Sequence, residues 1–305
     1  NYPEINHDLA FLTSNYPSAY SEDRTMGTNP IRQVLPNLKD AGSLYGSIIY
    51  NKAPIMMRQL ETAMGKDAFQ KGIQHYIKKF ADSNANWNDL VELLDQETEI
   101  DLKKWSDVWV NQSSRPIISE HISFDQDGKI SEFSISQKAE DGSKKVWPQL
   151  FDITLIYPDH QKTIPVSIKN ETLEIEASIG LGKPETIIYN SNGLGYGIFP
   201  IDISAMEKYP SLENEVMRAH SYINLYENTL LGNVSAESAL EIVRKGISSE
   251  KNEILIRLLS SEASSLFWTF LSRENRDGIQ ADFENQLRAL LQSDLPPNIK
   301  KSLFS

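Results

Sequence analysis

Tyr50 is the residue whose surroundings most resemble those of a working side chain. In Gly46-Ser47-Ile48-Ile49-Tyr50-Asn51-Lys52-Ala53-Pro54 a phenol stands beside small and polar residues just ahead of a helix-forming stretch, a rigid place to hold one hydroxyl. Residue type alone still favours ordinary packing for it. The same reading covers Met56 and Met57 as helix contacts, and Trp105 and Trp109, which share a helical face and are expected to anchor a domain junction. A metallopeptidase needs two histidines one helical turn apart with a glutamate beside them to activate water. No His-Glu-x-x-His occurs, and His7, His75, His121, His160 and His220 stand isolated, as surface or hydrogen-bonded histidines do. No Gly-x-Ser-x-Gly elbow, Walker loop or dinucleotide fingerprint is present. The glycine-rich run Asn192-Gly193-Leu194-Gly195-Tyr196-Gly197 follows a β segment and enters no helix, so it reads as a tight turn or bulged strand rather than a phosphate cradle.

Whatever holds such a hydroxyl must fold around it. With 40% apolar and 24% charged residues the chain can bury a sizeable core, and 305 residues suit two or three domains. The formal charge of -12 disfavours nucleic-acid phosphates and anionic membranes as partners, so neither is expected. Cysteine is absent, which excludes disulfides, cysteine-ligated zinc and a thiol nucleophile within these residues. No apolar run approaches the ~20 residues that span a bilayer. The start Asn1-Tyr2-Pro3-Glu4 has neither a basic nor an apolar signal region, and composition does not indicate a compartment.

The first 40 residues are rich in Asn, Pro, Ser and Asp with little periodicity and read as a surface-crossing loop. From Leu44, the spacing of Ile48, Ile49, Met56, Leu60 and Met64 predicts a helix that starts or bends near Pro54. Further helices are expected over 67–80, after the cap Asn86 with Asp89 three positions on, and after the cap Asp101. Beyond Arg115-Pro116 the period shortens. Strands are expected over 118–124, 130–135, 151–157, 162–168, 173–177 and 186–189, with a tight turn at Asp127-Gly128, and an antiparallel β-sandwich is the natural reading. After Ile203 helical spacing returns over 213–231, 235–246, 252–259, 264–271 and 283–291, and a short tail follows Asp294.

The order of several motifs resembles the gluzincin (M1-type) zinc aminopeptidases, the family that includes aminopeptidase N and leukotriene A4 hydrolase. The resemblance rests on Asp23 followed by Asn29-Pro30-Ile31, Ile49-Tyr50-Asn51-Lys52-Ala53, Met64-Gly65-Lys66-Asp67-Ala68-Phe69 and Ile73-Gln74-His75-Tyr76-Ile77. It continues with Trp87, Asp89-Leu90 and Trp105-Ser106-Asp107-Val108-Trp109 before Arg115-Pro116.

The resemblance implies a multidomain α+β chain. Residues 1–113 would be the helical end of a thermolysin-like catalytic domain, 114–203 a β-sandwich and 204–305 an incomplete α-helical domain. It also implies that the zinc ligands precede Asn1, that zinc serves the intact enzyme but is not held by this fragment, and that the missing N-terminal and catalytic portions are its partners together with a peptide substrate. Tyr50 matches the tyrosine of the family's Tyr-x-Lys-Gly motif, where the phenol donates a hydrogen bond to the oxygen that gains charge as water attacks the peptide carbonyl. Lys52 matches the same motif and is assigned a structural or peripheral role. Ala53 departs from it, standing where the family has glycine. The implied function is hydrolysis of N-terminal peptide bonds by the intact metalloaminopeptidase, with the fragment alone inactive. Two alternatives stay open: a catalytically dead peptide-binding scaffold and an unrelated interaction module, the upstream sequence discriminating the first of these from the enzyme.

Overall fold

The computed structural model describes residues 5–304 apart from 36, 38, 40, 41 and 43. The reading of Asn1-Tyr2-Pro3-Glu4 as lacking a signal region therefore lies outside the described residues. The chain opens on a helix, α1 (His7–Asp23), where the composition suggested a loop. Asn6 caps it by accepting from the Leu9 amide. Its polar residues do not solvate a coil: the side chains of Thr13, Asn15 and Ser18 bond back to the carbonyls of Leu9, Phe11 and Ser14, one turn earlier. Leu9, Leu12, Tyr16, Ala19 and Tyr20 form a buried stripe at three- and four-residue spacing. Burial of each large member contributes about 2 kcal/mol, enough to hold a helix whose intrinsic propensity is poor.

A single π-helical turn, Ile48–Lys52, leads into α2 (Ala53–Met64), so the segment begins earlier than Pro54 and changes pitch there. Proline lacks an amide hydrogen and its ring crowds the carbonyl four residues back, here that of Tyr50. The wider turn, in which the Ala53 amide donates to the Ile48 carbonyl, gives that ring room. Gly65, at φ 82°, separates α2 from α3 (Lys66–Lys79). Then come α4 (Trp87–Asp95), with the capping box of Asn86 and Asp89, and α5 (Leu102–Val110), capped by Asp101 as its sequence indicates.

The middle of the chain forms two three-stranded antiparallel sheets. One has the order β1 (Pro116–Phe124), β2 (Ile130–Ala139), β5 (Thr172–Glu174); the other has β4 (Gln161–Ile168), β3 (Gln149–Ile156), β6 (Thr186–Tyr189). Gly128, at φ 73°, closes the turn between β1 and β2. The strand expected over 173–177 is shorter, because Glu176–Ser178 turns into a 3-10 helix. Phe133 and Ile135 of one sheet and Phe151, Ile153 and Leu155 of the other share one buried cluster.

A 3-10 segment, Ile203–Ser211, precedes α6 (Glu215–Leu230), α7 (Ala236–Ser249) and α8 (Glu253–Ser265). The helix expected over 264–271 is instead a π-helical continuation of α8, Leu266–Phe270. α9 (Arg273–Gln292) runs longer than its apolar spacing suggests, and the tail folds as α10 (Pro297–Phe304), with Ile299 and Leu303 buried. The architecture is thus α+β, with helical stretches flanking two small antiparallel sheets. One core cluster joins α1, α2, α4 and α5 to Trp147 and Tyr196 from the sheet region and to Ala219 and Ile223 of α6.

Candidate functional site

Tyr50 sits in the π-helical turn with its side chain 60% exposed, and its ring lies 5.9 Å from that of Tyr45, itself exposed. The hydroxyl is thus free of the core while the backbone beneath it is fixed. Its amide donates to the Gly46 carbonyl at 3.0 Å. Ala53 adopts φ -60° and ψ -45°, ordinary helical angles that alanine takes without strain, so the departure from glycine leaves the turn intact.

Two residues past Tyr50 the chain turns inward. Lys52 is fully buried, and its ammonium lies 2.6 Å from an Asp23 carboxylate oxygen at the end of α1. It also donates to the Ser114 carbonyl at 2.9 Å and stands 5.4 Å from the centre of the Tyr196 ring. Ser114 carries φ 80°, a left-handed backbone that costs a non-glycine residue about 1 kcal/mol or more. Asp23 is saturated in turn, accepting from the Tyr196 hydroxyl at 2.9 Å and from Thr28 Oγ1 at 2.6 Å. Burial draws the Lys52 pKa below the ordinary lysine value, and Asp23 acts against that shift. Full burial with these partners gives Lys52 the structural character expected of it.

A second charged group adjoins the first. Arg115, also buried, makes a forked contact to Glu140 at 2.8 and 3.1 Å and stacks over the Tyr20 ring at 4.7 Å. It approaches Glu227 of α6 to 2.8 Å without hydrogen-bond alignment, while Arg24 bonds the other Glu227 oxygen at 2.7 Å. Burial disfavours the guanidinium charge, yet Glu227 and Glu140 outweigh it and its pKa lies above the ordinary value. The Tyr20 hydroxyl donates to the Gly197 carbonyl and accepts from the Gly197 amide, and Gln59 ties α2 to Leu150 and Leu194. The glycine-rich run opens on a turn in which the Gly193 amide donates to the Asn190 carbonyl, and ends at Gly197, which at φ 135° passes so close to Pro116 that a Cβ would meet its carbonyl oxygen at 2.5 Å.

Trp109 is buried, its indole donating to the Pro148 carbonyl and its ring set edge-on to Trp147 and Tyr196. His220 is the one histidine wholly inside the protein among the described residues, and the other described histidines are exposed or half-exposed. Among the described residues no group of three or more His, Cys, Asp or Glu side chains is arranged to hold a metal ion. No helix there is long and apolar enough to cross a membrane. A cavity of about 800 Å³ opens between α7 and α9, lined by residues such as Glu237, Arg244 and Gln286, and Tyr50 is not part of it. Sequence reasoning used Asp23 only as a landmark and did not foresee Glu140 and Glu227, and nothing local marked the three as partners of buried cations.

Residues 1–113 match the peptidase family M1 domain. The chain is 24% identical over 250 residues to aminopeptidase N of Streptomyces lividans, covering 77% of this chain and 29% of that protein. It is 20% identical over 287 residues to probable aminopeptidase 1 of Sulfurisphaera tokodaii, covering 92% and 34% respectively. It is 24% identical over 272 residues to aminopeptidase M1-A of rice, Oryza sativa subsp. japonica, covering 86% and 30%. The chain spans about a third of the length of these curated relatives. The chain is thus similar to aminopeptidases of peptidase family M1, through the family domain over residues 1–113 and through single relatives over most of its length.

Proposed function

We propose that this chain is the C-terminal part of a zinc-dependent aminopeptidase that removes N-terminal residues from peptides, with Tyr50 as its transition-state hydrogen-bond donor. Residues 1–113 are then the helical end of a thermolysin-like catalytic domain, 114–203 a β-sandwich and 204–305 an incomplete helical domain. The observation that carries the reading is an exposed phenol on a turn whose next inward residue is locked by a buried ion pair. The described residues do not fit a zinc site, so the metal that the resemblance implies for the intact enzyme belongs with residues outside this chain, and no step here is routed through it. The isolated chain is accordingly proposed to be inactive.

What Tyr50 does follows from its chemistry. A neutral phenol donates one hydrogen bond to the peptide carbonyl oxygen as that oxygen gains negative charge. The bond strengthens in the transition state, so it raises kcat more than it tightens substrate binding. Removing such a donor costs about 3 kcal/mol in barrier, roughly a hundredfold in kcat. Tyr50→Phe in the full-length protein is expected to lower kcat by about that factor with KM little changed. Unchanged turnover would remove Tyr50 from the mechanism.

A further inference from the structure

We propose that the adjacent acids Glu22 and Asp23, at the end of α1, clamp the π-helical turn on both sides of Tyr50 and thereby act as positioning residues for its hydroxyl. The inference rests on the reading of Tyr50 as a hydrogen-bond donor and adds the residues that aim it.

Glu22 holds the near side of the turn. Its Oε2 accepts from the Ser47 amide at 3.0 Å, at the start of the turn. Gly46 lies beside the same carboxylate, where a Cβ would stand 3.4 Å from that oxygen, an ordinary contact. Asp23 holds the far side through Lys52 at 2.6 Å. A backbone amide three residues before Tyr50 and a side-chain ammonium two residues after it are therefore held by consecutive residues of one helix.

Helix geometry explains why two adjacent acids serve this purpose. Neighbouring side chains on an α-helix diverge by about 100°. Asp23 therefore points into the core, where Lys52 and Tyr196 meet it, while Glu22 stays half-buried at the surface beside Gly46. The two contacts pull on the turn from different directions and resist both sliding and rotation. A π-helical turn needs such support because it breaks the regular i to i−4 ladder. α1 is itself tied down by the Tyr16 and Tyr20 hydroxyls to the carbonyls of Leu194 and Gly197, so the clamp stands on a fixed base.

Glu22 makes the cleaner test, because it is half-buried and its loss should leave the fold intact. 3-Fluorotyrosine is incorporated in place of Tyr50 in this 305-residue chain, and its fluorine NMR signal is recorded with Glu22→Ala and Glu22→Gln. A single narrow signal is expected for the parent. Glu22→Ala should broaden or split it, whereas Glu22→Gln retains an oxygen acceptor for the Ser47 amide and should restore it. In the full-length protein, Glu22→Ala is expected to lower kcat roughly tenfold with KM within about twofold, and Glu22→Gln to recover most of that loss. Parent-like signals and turnover for Glu22→Ala, or equal defects in both variants, would overturn the clamp. Full turnover by Tyr50→Phe would instead defeat the reading of Tyr50 and leave the fluorine result standing.

Discussion

Two interior regions of this protein treat ionisable side chains in opposite ways. Beneath the π-helical turn, Asp23, Lys52 and Arg115 are buried and each faces an opposite charge. On α6 and α8, His220 and Glu262 are buried as well, yet His220 Nδ1 and Glu262 Oε2 have no hydrogen-bond partner among the described residues. The first region holds ions because each has a counter-ion within about 3 Å. The second holds the same kinds of group by leaving them neutral: burial alone pushes His220 down to about 3, and burial followed by the nearby Glu227 charge raises Glu262 well above an ordinary carboxyl. The difference teaches where directional force resides. A paired ion fixes the position of its partner, which a turn carrying an exposed phenol requires; a neutral buried group merely fills space.

The contrast breaks most visibly when one partner of a buried pair is removed. Lys52→Met leaves the Asp23 carboxylate buried and uncompensated, and is expected to cost about 3–5 kcal/mol in denaturant-monitored unfolding. The double variant Asp23→Asn/Lys52→Met should recover a large part of that loss, since no charge is left unpaired. Equal stability of the single and double variants would show that the pair does not act as a pair.

His220 gives the next largest effect, and its sign follows from proton linkage. Its pKa is about 3 when folded and about 6.5 when unfolded, so between those values the unfolded chain binds a proton that the folded chain refuses. The stability is fully present above pH ~6.5 and falls as the medium is acidified towards pH 3, with a slope approaching ~1.4 kcal/mol per pH unit. In His220→Phe this contribution to the slope should vanish, which unfolding curves measured from pH 7 to pH 4 would reveal. An unchanged slope would mean that the imidazole is not held neutral.

The smallest expected effect sharpens the comparison further. Glu262→Gln replaces an acid whose charged form burial disfavours with a neutral amide and should shift stability by less than ~1 kcal/mol at pH 6. Asp23→Asn, the same chemical change in the paired region, should cost several times more. Equal losses at the two positions would erase the distinction.

How much of this was legible in the sequence depended on the range of the interactions involved. Capping at Asn86 and Asp101 is settled within four residues, and both helices begin where their caps stand. Most strands could be read as well, because period and turn residues are local. α1 could not: its stripe is partly tyrosine and alanine, its outer faces are serine, threonine and asparagine, and its hydroxyls bond to carbonyls 177 and 178 residues away. α10 was hidden for a similar reason, since its two buried side chains pack on a helical core formed by preceding segments. At the site, Tyr50 stood out through its neighbours and a motif. The charges that hold its turn did not, because nothing local in a sequence distinguishes a buried lysine from a solvated one.

The central claim, that the buried pair acts through the orientation of one hydroxyl, is tested most directly by a double-mutant cycle on kcat in the full-length protein. Lys52→Met should lower kcat strongly when Tyr50 is present and have little further effect in a Tyr50→Phe background, because the group it aims is already gone. The same fold loss in both backgrounds would contradict the account.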